Sequence, residues 1–236
     1  MLTKISEPAT RRLFLIRHGL PDYTLGKAGD VPPGPTLSYI GRTQIRQAID
    51  ILHPHKPMKI YSSPLARALQ SAAVVAEGLG QSVEVDGDLQ EWRRTERLYQ
   101  VNERCARWLA RWLRREEPIA VAFSHASPLL SLMRTALYLP HFNWWHGTDR
   151  DHLVLATCDR FEVSMGSVFE LVFEPDVVTA RCLHHPHPRI THIGARGNWV
   201  TAFSRPGMTG ENRVIRRPNF GFLVGDNVKF KMHGAK

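Results

Sequence analysis

From Arg12 to Leu139 short continuous apolar runs alternate with longer stretches in which apolar residues recur every three or four positions. Short unbroken runs suit buried strands and the longer period suits amphipathic helices, so the alternation itself narrows the fold. The runs are Arg12-Leu-Phe-Leu-Ile-Arg17, Lys59 to Ser62, Val83 to Val85 and Ile119 to Phe123. Between them, helical spacing covers Thr36 to Leu52, with Ser38 as a cap and Pro54 closing the end, and Leu65 to Leu79, with Pro64 in the first turn and Gly80 at the stop. Val101 to Leu113 and Pro128 to Leu139, ended by Pro140, read as two more helices. Strands buried on both faces and linked by helices predict an α/β fold, a mainly parallel central sheet with helices on both faces. Leu153 to Thr157 and Ser167 to Phe173 read as two further strands, an antiparallel pair at one edge. After Leu183 the pattern breaks at His184-His-Pro-His-Pro188, so residues 1–183 form the main domain and 184–236 an irregular C-terminal extension.

Composition excludes several classes. With 43% hydrophobic and 22% charged residues, the 236-residue chain is neither disordered nor short of core-forming side chains. Its longest apolar stretches fall far below the roughly 18 residues of a membrane span, so no membrane association is expected. Glu7 and Pro8 precede Arg11 and Arg12 with only four apolar residues after them, which does not read as a signal peptide, and the cytoplasm is the expected compartment. Cys105, Cys158 and Cys182 are too widely spaced for a C-x-x-C pair or a zinc knuckle and read as reduced thiols.

The formal charge of +9 is uneven: from His184 onward nine Lys and Arg face Glu211 and Asp226, leaving +7 in the extension. These cations are scattered among Gly and Pro without a recognisable binding fold, so nucleic-acid binding is not expected. His184, His185 and His187 lack a helical i, i+4 face and read as loop contacts rather than metal ligands. Trp199, Phe203, Phe220, Phe222 and Phe230 need something to pack on, which predicts that the extension lies on the main domain or on a second subunit of a homo-oligomer.

Three polar clusters follow the predicted strands: Arg17-His18-Gly19, Ser62-Ser63-Pro64-Leu65-Ala66-Arg67 and Ser124-His125-Ala126. In a parallel sheet the C-terminal strand ends gather ligands, so two arginines and two histidines should converge there. Guanidinium groups offer forked donors to phosphate oxygens and a neutral imidazole attacks phosphorus, which suits phosphoryl transfer. Ser63, before Pro64 and a helix, fits a capping or phosphate-adjacent role better than that of a nucleophile.

The strand followed by R-H-G, then L-S-x-x-G-x-x-Q (Leu37, Ser38, Gly41, Gln44), S-S-P-L-x-R-A-x-Q-S-A (Ser62 to Ala72) and S-H-A, in that order, resembles the histidine phosphatase superfamily, which includes the cofactor-dependent phosphoglycerate mutases. The resemblance runs from about Leu13 to Phe173 and implies a phosphoglycerate mutase-like fold. It also implies that His18 is the nucleophile that becomes phosphohistidine, that Arg17, Arg67 and His125 hold the phosphoryl oxygens, and that Glu91 protonates the leaving alcohol. One carboxyl group serves both half-reactions, first as acid and then as the base that activates water. With two guanidiniums and His125 stabilising the transferring group, neither a divalent metal nor another cofactor is expected.

The chain departs from the family pattern in three places. Leu20, Pro21, Asp22 and Tyr23 follow R-H-G in place of an acidic or amide residue, Ala126 replaces a glycine, and Trp92-Arg93-Arg94-Thr95-Glu96-Arg97 replaces a glycine-and-tryptophan stretch. The 34 positions from Glu91 to His125 leave room for one helix and one strand, not for the long insertion of the mutase branch. The expected activity is therefore hydrolysis of a small phosphorylated metabolite. Mutase-type transfer and a non-catalytic binding protein on the same fold are the alternatives.

Overall fold

The computed structural model describes residues 10–24, 31–137 and 163–187, together with the backbone of strands at 190–193, 199–201 and 213–216. The first apolar run is strand β1 (Arg11–Arg17), whose residues Leu13 to Ile16 are fully buried. It pairs in parallel with β4 (Ile119–Ser124), which pairs in parallel with β2 (Lys59–Ser62), and β2 with β3 (Val83–Val85). On the other side of β1 the sheet turns antiparallel through β5 (Val168–Phe173), β6 (Val177–His184) and β9 (Arg213–Arg216), in the order β3-β2-β4-β1-β5-β6-β9. The remaining strands, β7 (Ile190–Ile193) and β8 (Trp199–Thr201), form a separate antiparallel pair.

The sheet is thus mixed, its parallel half being β3-β2-β4-β1. The run expected at Ser167 to Phe173 is β5, but it lies inside the sheet between β1 and β6, not at an edge. Its expected partner at Leu153 to Thr157 lies outside the described residues. Its antiparallel neighbour β6 escapes detection by apolar runs because Thr179 and Arg181 alternate with buried Val178 and Ala180, the pattern of a strand with only one face in the core.

Both faces of the parallel half are covered, as its unbroken apolar strands require. Leu13, Leu15, Ala120 and Ala122 face one side, against α3 (Leu98–Leu113) and α4 (Ala126–Ala136). Phe14, Ile16, Val121 and Phe123 face the other, against α1 (Tyr39–Leu52) and α2 (Ala66–Leu79). Successive side chains of a strand point to opposite faces, so one run of hydrophobic residues supplies two cores. Ser38 caps α1 by accepting from Gly41 N–H, and Gly80 closes α2 at φ 64°, the left-handed position that glycine fills without strain. Pro64 lies ahead of α2, which begins at Ala66, and α4 begins two residues earlier than Pro128, directly after His125. Among the described residues no helix is long and apolar enough to cross a membrane.

One ion cluster sits within the antiparallel half. Glu170 on β5 is fully buried and its two carboxylate oxygens accept from Arg12 at 2.7 Å and from Arg181 at 2.5 Å. The two arginines keep part of their side chains in solvent, so the cluster needs full desolvation of the carboxylate alone.

Candidate active site

Register brings the candidate residues together. Arg17 at the end of β1 lies opposite Ser124 of β4, and Ser62 of β2 lies opposite Phe123. The backbone pairing continues one step further, His18 N–H donating to Ser124 O and Ser63 N–H to Phe123 O, both at 3.0 Å. His18, Ser63 and His125 therefore leave three adjacent parallel strands at the same edge. Arg67 enters from the first turn of α2, and α4 starts at Ala126, so two helix N-termini with their positive dipole ends border this edge.

His18 is 3% exposed and both its ring nitrogens are engaged. Nδ1 lies 2.7 Å from Gly19 O, and Nε2 lies 3.1 Å from Arg67 Nε, which donates. A carbonyl only accepts, so Nδ1 carries the proton and Nε2 presents its lone pair. The His125 ring is 4.9 Å from the His18 ring, centroid to centroid. Its Nε2 is 2.8 Å from Ser63 Oγ, which also accepts from Leu65 N–H. The pair is satisfied when Ser63 Oγ–H donates to Nε2, which places the ring proton on Nδ1. That Nδ1 is buried without a hydrogen-bond partner.

Electrostatics favours an anion here. Burial, then the positive fields of Arg67 and Arg17, hold His18 well below the ordinary imidazole range. Burial, then Arg67, His18 and Arg17, do the same to His125, so both rings are neutral. Burial brings the Arg17 guanidinium down to about 10, with Glu91 and Tyr23 opposing the shift and Arg67 adding to it. Arg17 Nη1 donates to Val163 O at 2.7 Å. Glu91 follows the short 3-10 turn Gly87–Leu89, accepts from Trp92 N–H at 2.9 Å, and supplies the largest opposing charge that Arg17 feels.

The remaining motif positions act as scaffold for the R-H-G turn. Ser38 Oγ donates to Leu20 O, Gln44 Oε1 accepts from Leu20 N–H, and Ser71 Oγ accepts from Gly19 N–H while donating to Arg67 O. Gly41 packs its backbone on this turn so closely that a Cβ there would sit 2.3 Å from Leu20 O, and a Cβ on Gly19 would sit 2.4 Å from Gly41 O. Two glycines are needed for two backbones to meet.

Three contributors were not among the expected site residues. The hydroxyl of Ser63, expected in a capping or phosphate-adjacent role, accepts from Leu65 N–H and also pairs with His125, a contact that was not foreseen. The buried turn at 163–167 carries the Val163 carbonyl that binds Arg17, and its Gly166 N–H donates to Arg17 O and His18 O. Arg104 of α3 binds the segment that bears Glu91. Only Ser63 has a local signal, the S-S-P block; the other two lie in segments without a motif.

Of the histidines read as loop contacts, His184 Nε2 meets Gln47 Oε1 at 3.1 Å, and His185 lies between Ser164 Oγ and Cys182 Sγ. Among the described residues no three His, Cys, Asp or Glu side chains are grouped to hold a metal ion.

Comparison with known proteins agrees with this geometry. Residues 13–95 match the histidine phosphatase superfamily (branch 1). A glucosyl-3-phosphoglycerate phosphatase of Mycobacterium tuberculosis is 40% identical over 81 residues, covering 34% of this chain and 36% of that protein. The relative from Mycolicibacterium vanbaalenii with the same name is 37% identical over the same length. The chain thus spans about a third of the length of the curated relatives it matches. Among solved structures, a mycobacterial glucosyl-3-phosphoglycerate phosphatase superimposes with a TM-score of 0.54 at 23% identity, covering 70% of this chain and 91% of that one. A phosphoserine phosphatase of Entamoeba histolytica gives 0.52 at 17% identity, covering 69% and 90%. At these identities the structural likeness concerns the fold. The region that holds β1, the R-H-G turn, Arg67 and Glu91 is the matched one, and over residues 13–95 this chain is similar to the histidine phosphatase superfamily, branch 1.

Proposed function

We propose that this protein is a metal-independent phosphomonoesterase that passes the phosphoryl group of a small phosphorylated metabolite through His18. The observation that carries the reading is the state of His18: neutral, its proton committed to Gly19 O, its Nε2 lone pair held beside Arg67 and its surroundings positively charged. A phosphate dianion entering between Arg17 and Arg67 would bring its negative charge to two buried cations and accept their forked donors. Arg67 Nε–H then exchanges from His18 Nε2 to a phosphoryl oxygen, which frees the lone pair for in-line attack.

In the first half-reaction the N–P bond forms as the ester P–O bond breaks, and Glu91 delivers a proton to the departing alkoxide. The positive charge left on the phosphorylated imidazole is shared with Gly19 O through Nδ1–H. Arg17, Arg67 and His125 Nδ1–H stabilise the equatorial oxygens, work that does not require a divalent ion. In the second half-reaction the Glu91 carboxylate takes a proton from water as the water oxygen bonds to phosphorus; the N–P bond breaks, its electron pair returns to His18 Nε2, and inorganic phosphate leaves. The phosphatase names of the mycobacterial relatives support hydrolysis of a small phosphorylated metabolite over transfer to a second acceptor.

The test is to quench turnover of a phosphate-labelled aryl ester without acid and locate the label. An acid-labile, alkali-stable adduct on His18, absent from His18→Ala, is expected. Label on Ser63, or undiminished turnover by His18→Ala, would overturn the mechanism.

A further inference from the structure

Glu91 is not carried by a strand or a helix; it lies in an irregular segment after the Gly87–Leu89 turn. Such a segment does not hold a carboxyl group in place unless something outside it does. One end is tied to the sheet, where Ser124 Oγ donates to Leu89 O at 2.6 Å beside His125. The rest is gripped by one side chain of α3. Arg104, 8% exposed, donates from Nε to Glu96 Oε1 at 2.7 Å, from Nη1 to Asp88 O at 2.6 Å, and from Nη2 to Glu91 O at 3.3 Å and Glu96 Oε2 at 3.2 Å. The indole of Trp92 closes the same loop by donating to Glu96 O at 2.6 Å. The helix behind Arg104 is itself fixed by Val101, Cys105, Trp108 and Trp112 in the core.

We propose that Arg104 is a positioning residue for Glu91: its guanidinium bridges the residues before, at and after the acid and transmits the rigidity of α3 to the carboxyl group. It touches neither substrate nor phosphorus. The assignment rests on the proposed role of Glu91 and predicts a particular kinetic pattern. A displaced acid harms reactions in which a strongly basic alkoxide departs, and spares those in which the leaving group needs no proton. Because kcat/KM reports the steps through the first irreversible one, it isolates phosphoryl transfer to His18 from the later hydrolysis that also uses Glu91.

The experiment compares an alkyl phosphate with 4-nitrophenyl phosphate in wild type, Arg104→Ala, Arg104→Lys, Glu96→Gln, Glu91→Gln and the Arg104→Ala/Glu91→Gln double variant. Arg104→Ala is expected to lower kcat/KM for the alkyl ester by on the order of 10²-fold, within the range of a general acid, and for the aryl ester only a few-fold. It should also yield a nitrophenolate burst followed by a slowed steady state, as phosphoenzyme accumulates. Lys places a single ammonium where three guanidinium nitrogens reach separate acceptors, so Arg104→Lys should restore little of the selectivity. The double variant should be no worse than Glu91→Gln, since the two act through one group. Should Arg104→Ala fail to fold, Glu96→Gln, which keeps the shape and removes the charge partner, carries the same expectation at reduced size. Equal losses on both esters, or losses additive with Glu91→Gln, overturn the assignment. Wild-type turnover, His18→Ala inactivity and the selectivity of Glu91→Gln, measured alongside, test the proposed function separately.

Discussion

Replacing Ser63 by Ala separates three roles for that hydroxyl. In the structure its Oγ lies 2.8 Å from His125 Nε2 and accepts from Leu65 N–H at 3.3 Å, so the variant leaves two buried groups without that partner. Each loss of this kind destabilises by about 1–3 kcal/mol, which forecasts a folded but less stable protein. For activity the relevant quantity is the tautomer of His125. The hydrogen bond that favours a proton on Nδ1 is worth about 1–1.5 kcal/mol net, equivalent to about five- to tenfold in the tautomer ratio. The donor aimed at a phosphoryl oxygen should therefore be retained in fewer molecules, and kcat/KM should fall about two- to fivefold. His125→Ala, which removes the donor altogether, should cost about 10²–10³-fold, as deletion of a transition-state hydrogen-bond donor does. Phosphate release from an aryl ester, with folding followed by circular dichroism, measures both; Ser63→Thr keeps the hydroxyl and should stay near wild type. A Ser63→Ala rate within twofold of wild type would refute the tautomer argument, and a loss as deep as that of His18→Ala would make Ser63 the nucleophile.

Burial lowers the folded-state pKa of both His18 and His125, so below the ordinary value of about 6.5 the unfolded chain binds protons that the folded one refuses. Stability should hold above that pH and decline beneath it, by up to about 1.4 kcal/mol per pH unit for each ring, until the folded-state values are reached. Urea midpoints between pH 7 and 5 check this, and a His18→Gln/His125→Gln variant should show a flatter profile. Gly41→Ala puts a Cβ 2.3 Å from Leu20 O and 2.7 Å from Leu20 N, backbone that cannot step aside, so a loss of about 1–3 kcal/mol and a displaced R-H-G turn are expected in thermal melts and turnover. Glu170→Gln removes the charge shared by Arg12 and Arg181 and should destabilise by about 1–3 kcal/mol with kcat unchanged, because the cluster lies away from the R-H-G edge. Activity should survive EDTA; its loss, with rescue by one divalent ion, would contradict a reaction run on guanidinium groups.

Much of the fold is written locally. A strand buried on both faces must be apolar throughout, so the runs at 12–17, 59–62, 83–85 and 119–123 announced the parallel half, and Ser38 and Gly80 marked helix ends through chemistry confined to one turn. Strand-end position alone also selected Arg17, His18, Arg67 and His125, because parallel strands deliver the residues after them to one edge. What the sequence left open depends on contacts between distant segments. The half-polar β6 carries no run to detect, and β5 became an interior strand only because β6 covers it. Val163 lies 146 residues from Arg17, and Ser63 62 residues from His125, so neither pairing has a signal of its own. Arg104 falls within the helix expected at Val101 to Leu113 and belongs to no motif; only the packing of α3 against the sheet aimed its guanidinium at three points of a loop that has no periodicity to reveal it. Which residue types reach the site edge is legible locally, since short-range backbone geometry sets it. The tertiary structure decided their protonation and orientation, since burial and the partners of each ring nitrogen exist only once remote segments have packed together.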